Sequence, residues 1–240
     1  MIKVSPKEHD MSSEISMWRR VTVTLGVWFG ATFLLLFGGA GTFAWPEAWI
    51  YILIQVFSSA VMGLWLWKYN PELLKTRMEV WKRMGKPWDK VVMILVIAAY
   101  VPFFFLPGID AMRFQWSHVA LPVKILGFIG ILISSGLVFW VLQTNPYSSA
   151  AIEVQKERGH TTITTGPYQY VRHPMYVGII LGFFSMPLAL GSWVTFIPAI
   201  ILTVLIMGRT YLEDKTLRQE LNGYTTYADT VKFRLIPGVW

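Results

Sequence analysis

The sequence predicts an all-α fold, a polytopic membrane helical bundle of about six membrane-embedded helices with cytoplasmic N- and C-termini. Three observations lead there. Hydrophobic residues make up 54% of the 240 and charged residues only 15%, against roughly 25% charged in soluble domains. The apolar residues arrive in blocks close to the ~20 residues that a bilayer crossing needs. Finally, of the 21 lysines and arginines, only Arg113 and Lys124 fall on or near one side of a six-span layout. The opposite, basic side is therefore read as cytoplasmic.

The first block, Val21 to Phe43, follows a mostly polar segment, residues 1–20. A cleavable signal peptide reaches its apolar core sooner, so the block is expected to remain as an anchor. A turn over Ala44–Glu47 leads to the second block, Ala48–Trp67. The connector over 68–90 carries Lys75, Arg77, Lys82, Arg83 and Lys86, with Leu73, Leu74, Met78 and Trp81 spaced between them. That spacing suits an interfacial helix or an ordinary amphipathic connector equally. Val91–Leu106 is the third block, with Asp110 and Arg113 in a following loop, and Val119–Leu142 is the fourth. Lys124 is placed to snorkel toward the interface. Met175–Met207 is too long for one span and breaks at Leu190-Gly191-Ser192, which predicts a helical hairpin. The domain organisation is thus an N-terminal segment (1–20), a four-span region (21–142) and a C-terminal region (143–240) holding the hairpin 175–207.

Composition also excludes. Without cysteine there is no disulfide, thiolate nucleophile or thiolate metal ligand. The net charge of +7 suits an anionic membrane surface; nucleic acid is set aside, because the basic residues are scattered between apolar blocks. His160 and His173 lack the convergent carboxylates of a zinc or di-iron site, so no metal is expected. Dinucleotide, P-loop and nucleophile-elbow motifs are missing as well.

Polar chemistry concentrates in two places. The first lies between the fourth block and the hairpin, where Gly159, His160, Gly166-Pro167, Arg172 and His173 crowd into a short stretch. Pro174 suits a first helical position, which puts Arg172 and His173 at a helix mouth whose free N–H groups attract a carboxylate. Gly178, on the same face, permits close approach by a cofactor or by another helix. The second follows the hairpin, where Arg209, Glu213 and Glu220 can share one helical face. They are either a solvated surface or the acidic wall of a cleft.

Thr165-Gly166-Pro167-Tyr168 and Val171-Arg172-His173-Pro174-Met175-Tyr176-Val177-Gly178, followed by Glu213, Gly223-Tyr224, Tyr227 and Arg234-Leu235-Ile236-Pro237, form an ordered pattern. It resembles the signature of the isoprenylcysteine carboxyl methyltransferase and phospholipid methyltransferase superfamily of integral-membrane enzymes. The resemblance covers residues 143–240. It implies S-adenosylmethionine (S-adenosyl-L-methionine) as cofactor, enclosed between the last membrane helices and the C-terminal segment. It also implies a lipophilic or lipid acceptor, drawn from the membrane and methylated at the cytoplasmic interface.

Carried over residue by residue, the resemblance assigns His173, Pro174, Tyr176 and Gly178 to the cofactor pocket, and Glu213 to the cofactor and reacting centre. Gln155, Gly159, His160 and Tyr168 would form the preceding lid or wall. Arg172 or Arg234 could position a carboxylate of cofactor or substrate. One departure is Asp214 beside Glu213, since two adjacent residues cannot share a helical face. The alternatives are a membrane reductase using NADPH on a sterol-like substrate, and a non-catalytic scaffold or carrier. The acceptor could be a prenylated thiol carboxylate, a phospholipid amine or a fatty acid.

Overall fold

A computed structural model describes residues 6–240, with side chains from Met17 onward. Among the described residues all regular structure is helical. In chain order the helices are α1 (Pro6–Ala40), α2 (Pro46–Tyr69), the short α3 (Pro71–Met78) and α4 (Val80–Arg83), and α5 (Pro87–Gly108). Then follow α6 (Leu121–Thr144), α7 (Pro174–Leu190), α8 (Phe196–Glu220) and α9 (Tyr224–Thr230). Five of them, α1 from Met17, α2, α5, α6 and α8, are long and apolar enough to cross a membrane. The sixth apolar helix, α7, has 17 residues, a length of about 25 Å at 1.5 Å per residue. That falls short of the ~30 Å hydrocarbon core, and α7 is the most enclosed of the six: it lies along α6 and against α8.

The helix ends follow from local sequence. Proline opens α2, α3, α5, α6 and α7 at its first turn, where a missing N–H costs nothing. Asn70 caps α3 by accepting the Leu73 N–H at 3.1 Å. The hairpin turns at Gly191, as the break predicts. Gly191 adopts φ 80°, a conformation that a side chain disfavours, and the Ser192 N–H returns to the Pro187 carbonyl. Close packing uses two other glycines. A Cβ on Gly127 of α6 would collide with the backbone of Ala189 in α7, and one on Gly108 would strike the backbone of α1.

Several expected boundaries shift. Helix α1 starts well before Val21, because the polar residues Lys7–Arg20 continue the apolar helix outward; of the predicted 1–20 segment, residues 1–5 lie outside the described residues. Asp110 and Arg113 are not in a loop but in a π-helical continuation of α5, Ile109–Phe114. There Asp110 is fully buried, and its Oδ2 accepts from Ser117, Ser192 and the Val194 N–H. It thereby ties the end of α5 to the hairpin turn. Lys124 Nζ meets Glu47 at 2.6 Å.

The connector packs on the protein. Leu73 and Leu74 are buried with Val21, Leu66 and Leu142. Its cations grip the loop after α6: Arg77 donates to the Ser148 carbonyl at 2.8 Å and Arg83 to Glu153 at 3.2 Å. Basic residues that read as membrane-facing charge thus position part of the C-terminal half.

Candidate functional site

The C-terminal ends of α6 and α8 and the N-terminal ends of α5 and α7 meet at one side of the bundle. The chain between α6 and α7 is held over them, leaving a cleft that is partly open to solvent. One wall comes from Tyr147, Ser148 and Ile152, a second from His160 and Tyr168, and a third from His173, Met175 and Tyr176. The fourth, Glu213, Leu217 and Tyr224, belongs to α8 and α9.

The two polar constellations are joined here. Tyr176 Oη donates to Glu213 Oε2 at 2.5 Å across the gap between α7 and α8. The same hydroxyl accepts from Arg209 Nη1 at 3.0 Å. Arg209 is buried and forks onto Asp89 of α5, with Nε–Oδ1 at 2.8 Å, while its Nη2 donates to the Ala150 carbonyl. Asp89 in turn accepts the Ile152 N–H. The expected alternative of a solvated Arg209–Glu213 pair does not occur: Arg209 turns inward to Asp89, Glu213 turns to Tyr176, and Glu220 pairs with Lys86.

Asp214 occupies the neighbouring face of α8. Its carboxylate, 1% exposed, accepts from Arg172 Nε at 2.7 Å and Arg234 Nε at 3.1 Å. It also accepts from Tyr224 Oη at 2.9 Å and lies 3.4 Å from His173 Nε2. Arg172 Nη1 then donates to the carbonyls of Val231 and Lys232. The Arg172 and His173 N–H groups donate to the Phe233 and Arg234 carbonyls. The C-terminal segment is therefore stitched to the mouth of α7 by both backbone and side chain.

Of the residues singled out from sequence, His160, Tyr168, Arg172, His173, Tyr176 and Glu213 line the cleft. The others stand elsewhere. Gln155 is fully buried behind the wall, donating to the Tyr147 carbonyl and accepting from Arg158. Gly159 forms the left-handed end of a 3-10 turn. Pro174 is the buried first residue of α7. Gly178 faces α6, where an added Cβ would stand 3.0 Å from Val138 Cγ2, so its close approach is to a helix. Arg234 points to Asp214 and covers the rings of Tyr211 and Trp240. Sequence reasoning missed Asp89 and Tyr147. An acid in the first turn of α5 looks like ordinary helix-dipole compensation, and no local signal reveals Asp89's partner 120 residues away.

The lining is electrostatically specific. Burial pushes the phenols of Tyr168, Tyr224 and Tyr227 up, so they stay neutral; Tyr224 donates to Asp214 and Tyr227 to the Tyr168 carbonyl. His160 moves the other way, to about 4, chiefly through burial and then through the positive charge of Arg158, with Glu157 opposing. Its Nδ1 accepts the Gln155 N–H at 3.3 Å, and its ring stacks on Tyr147 at 4.3 Å.

Neutral His160 implies a pH dependence. In the unfolded chain the ring titrates near 6.5 and in the folded loop near 4, so the unfolded form binds more protons between those values. The loop's stabilisation is complete above about pH 6.5 and is lost as pH falls toward 4. Hydrogen exchange of residues 155–160 is expected to quicken, relative to intrinsic rates, between pH 7 and pH 5. A His160→Asn variant should lack that relative change; an unchanged wild-type profile would contradict the burial argument.

Among the described residues no cluster of three His, Cys, Asp or Glu could hold a metal. Residues 123–222 match the phospholipid methyltransferase family. The match runs from the first turn of α6 through the cleft loop and α7 to the end of α8, and so takes in most of the cleft. The match is consistent with the resemblance to the integral-membrane methyltransferase superfamily. No curated protein matches the chain.

Proposed function

We propose, with the phospholipid methyltransferase match over 123–222 as the premise, that the protein transfers methyl groups from S-adenosylmethionine to a lipophilic acceptor at the cytoplasmic membrane interface. The observation that carries this reading is the Tyr176–Glu213 hydrogen bond, which makes one cleft of two polar segments far apart in sequence. The cytoplasmic assignment follows from the basic residues concentrated at the cleft's end of the bundle.

The residues present fit this cofactor. A cation is attracted by the Glu213 carboxylate, which lines the cleft. Ser148 Oγ is buried at the cleft without a described partner, an acceptor and donor for a polar ligand. The Met175 N–H, at the positive end of α7, has no described backbone partner and suits a carboxylate. When bound, S-adenosylmethionine supplies a methyl carbon on positively charged sulfur, which passes to an acceptor lone pair as the carbon–sulfur bond breaks.

The chain's own work is alignment and exclusion of water. Asp89 orients Arg209, Arg209 and Glu213 fix the Tyr176 hydroxyl between them, and Tyr176 holds the Glu213 carboxylate in the cleft. Asn145 donates to Tyr168 Oη at 2.8 Å and sets that ring. Ile152, Ile163, Leu217 and Leu221 supply the apolar part of the lining. Arg172 and Arg234 serve the reading by positioning: their guanidiniums are spent on Asp214, and Arg172's also on backbone carbonyls.

Purified protein given S-adenosylmethionine labelled in the methyl group, with a native membrane extract, is expected to yield a labelled lipid-soluble product. Parallel titrations should show saturable binding of S-adenosylmethionine and none of NADPH. Saturable NADPH binding in its place would move the assignment to a reductase, and binding of neither would leave a scaffold or carrier.

A further inference from the structure

A second cavity of about 230 Å³, partly open at its side, lies within the membrane-spanning part and is lined by α1, α2, α5, α6 and α7. Its walls are unlike each other. One is aromatic, with Trp28, Tyr51, Tyr100, Phe104 and Phe183; there Trp28 stands edge-on to Tyr100 at 5.3 Å and Tyr100 stacks on Phe104 at 5.6 Å. The other is polar and small, with Gln55, Ser58, Ser59, Ser134 and Ser135.

Those polar groups stand near the middle of their helices, where hydrocarbon leaves no water to satisfy them. Ser134 is satisfied, donating to the Gly178 carbonyl at 2.7 Å. Gln55 carries two donors and a carbonyl with two lone pairs, and the Tyr51 hydroxyl one turn away is its one described partner. Gln55 is half-buried and lines the cavity. Amide groups left short of partners in an apolar site are costly, so the remaining capacity of Gln55 favours a ligand that pairs with it.

The cavity lies directly beneath the cleft. On α7, Tyr176 lines the cleft, while Ile179 and Phe183 line the cavity, an axial offset of about 5–10 Å at 1.5 Å per residue. Between the two stand side chains. Met175, which lines the cleft, and Val138, which lines the cavity, pack on the same apolar cluster around Leu142. Methionine is the side chain most able to move aside.

We infer that this cavity receives the body of the acceptor and that Gln55 recognises a hydrogen-bonding oxygen or nitrogen set within it. The inference rests on the methyl-transfer reading and narrows its substrate class. The acceptor is a lipophile with a polar atom inside its apolar body, not one with an unbroken hydrocarbon tail. An unbroken tail would leave the rest of the Gln55 amide's hydrogen-bonding capacity unmet. A site built around a polar group discriminates strongly against the analogue lacking it.

The test uses full-length protein in lipid nanodiscs and the matched probes stearic acid and 10-hydroxystearic acid, with affinities measured by titration. Wild type is expected to bind the hydroxylated acid at least about tenfold more tightly. Gln55→Leu should abolish the preference while leaving S-adenosylmethionine affinity unchanged, and Ser135→Phe, which fills the cavity, should weaken both acids. Equal affinities in the wild type, or a preference that survives Gln55→Leu, would overturn the inference. Its failure is distinct from that of the methyl-transfer reading, which falls only if S-adenosylmethionine itself does not bind.

Discussion

Glu213→Gln is expected to lower methyl transfer by about 10²–10³-fold, the loss seen when one preorganised electrostatic group is removed from a reacting centre, while the protein stays folded. Two acids line the cleft, Glu153 and Glu213. Glu153 is already paired with Arg83 at 3.2 Å, whereas the hydrogen bond to Glu213 comes from the uncharged Tyr176 hydroxyl. Glu213 therefore presents the negative charge that, on the proposed reading, a sulfonium cofactor would meet. Glutamine keeps the shape and still accepts from Tyr176, so packing survives and the charge alone is lost. A second readout separates charge from geometry. S-adenosylhomocysteine, the neutral-sulfur product, should gain affinity relative to S-adenosylmethionine in the variant. Turnover and relative affinity both at wild-type values would remove Glu213 from the centre.

The bundle was legible because its signals are local and strong. Uncharged blocks mark α1, α2, α5, α6 and α8, and Gly191 marks the hairpin turn with the one residue type suited to its positive φ. The misplaced pieces were those where charge and helix coexist. Asp110 and Arg113 look like loop residues, yet Asp110 pairs with the far end of the hairpin, so the helix continues as a π-helix through a polar stretch. The cleft was legible in outline, since Arg172, His173, Tyr176 and Glu213 do line one space. Which of them face a ligand and which hold one another was not legible. Adjacent residues such as Glu213 and Asp214 diverge by about 100° around a helix, and their partners come from segments that no spacing rule connects to them. The same limit hid Gln55, an unremarkable polar residue until four other helices close around it.

Asp214→Ala should destabilise the folded protein by about 3–5 kcal/mol, the cost of removing one partner from a buried ion pair and stranding the other. The magnitude follows from the geometry. One carboxylate, 1% exposed, faces Arg172, which is itself 2% exposed, and also takes donors from Arg234, Arg218 and Tyr224. With the acid gone, the Arg172 guanidinium keeps only the Val231 and Lys232 carbonyls, too little to offset a buried positive charge. The damage should be directional: the C-terminal segment, held to α7 through Arg172 and Arg234, loosens before the membrane helices do. Limited proteolysis after Lys232 and Arg234 is expected to accelerate while the apolar hairpin stays protected, and thermal unfolding should move to lower temperature. Asp214→Asn should fall between, because it retains an acceptor for Tyr224 but no charge for Arg172. A variant whose tail stays as resistant as the wild type's would mean that the backbone bonds between 172–173 and 233–234 suffice to hold it, and that the arginines gathered on Asp214 add little.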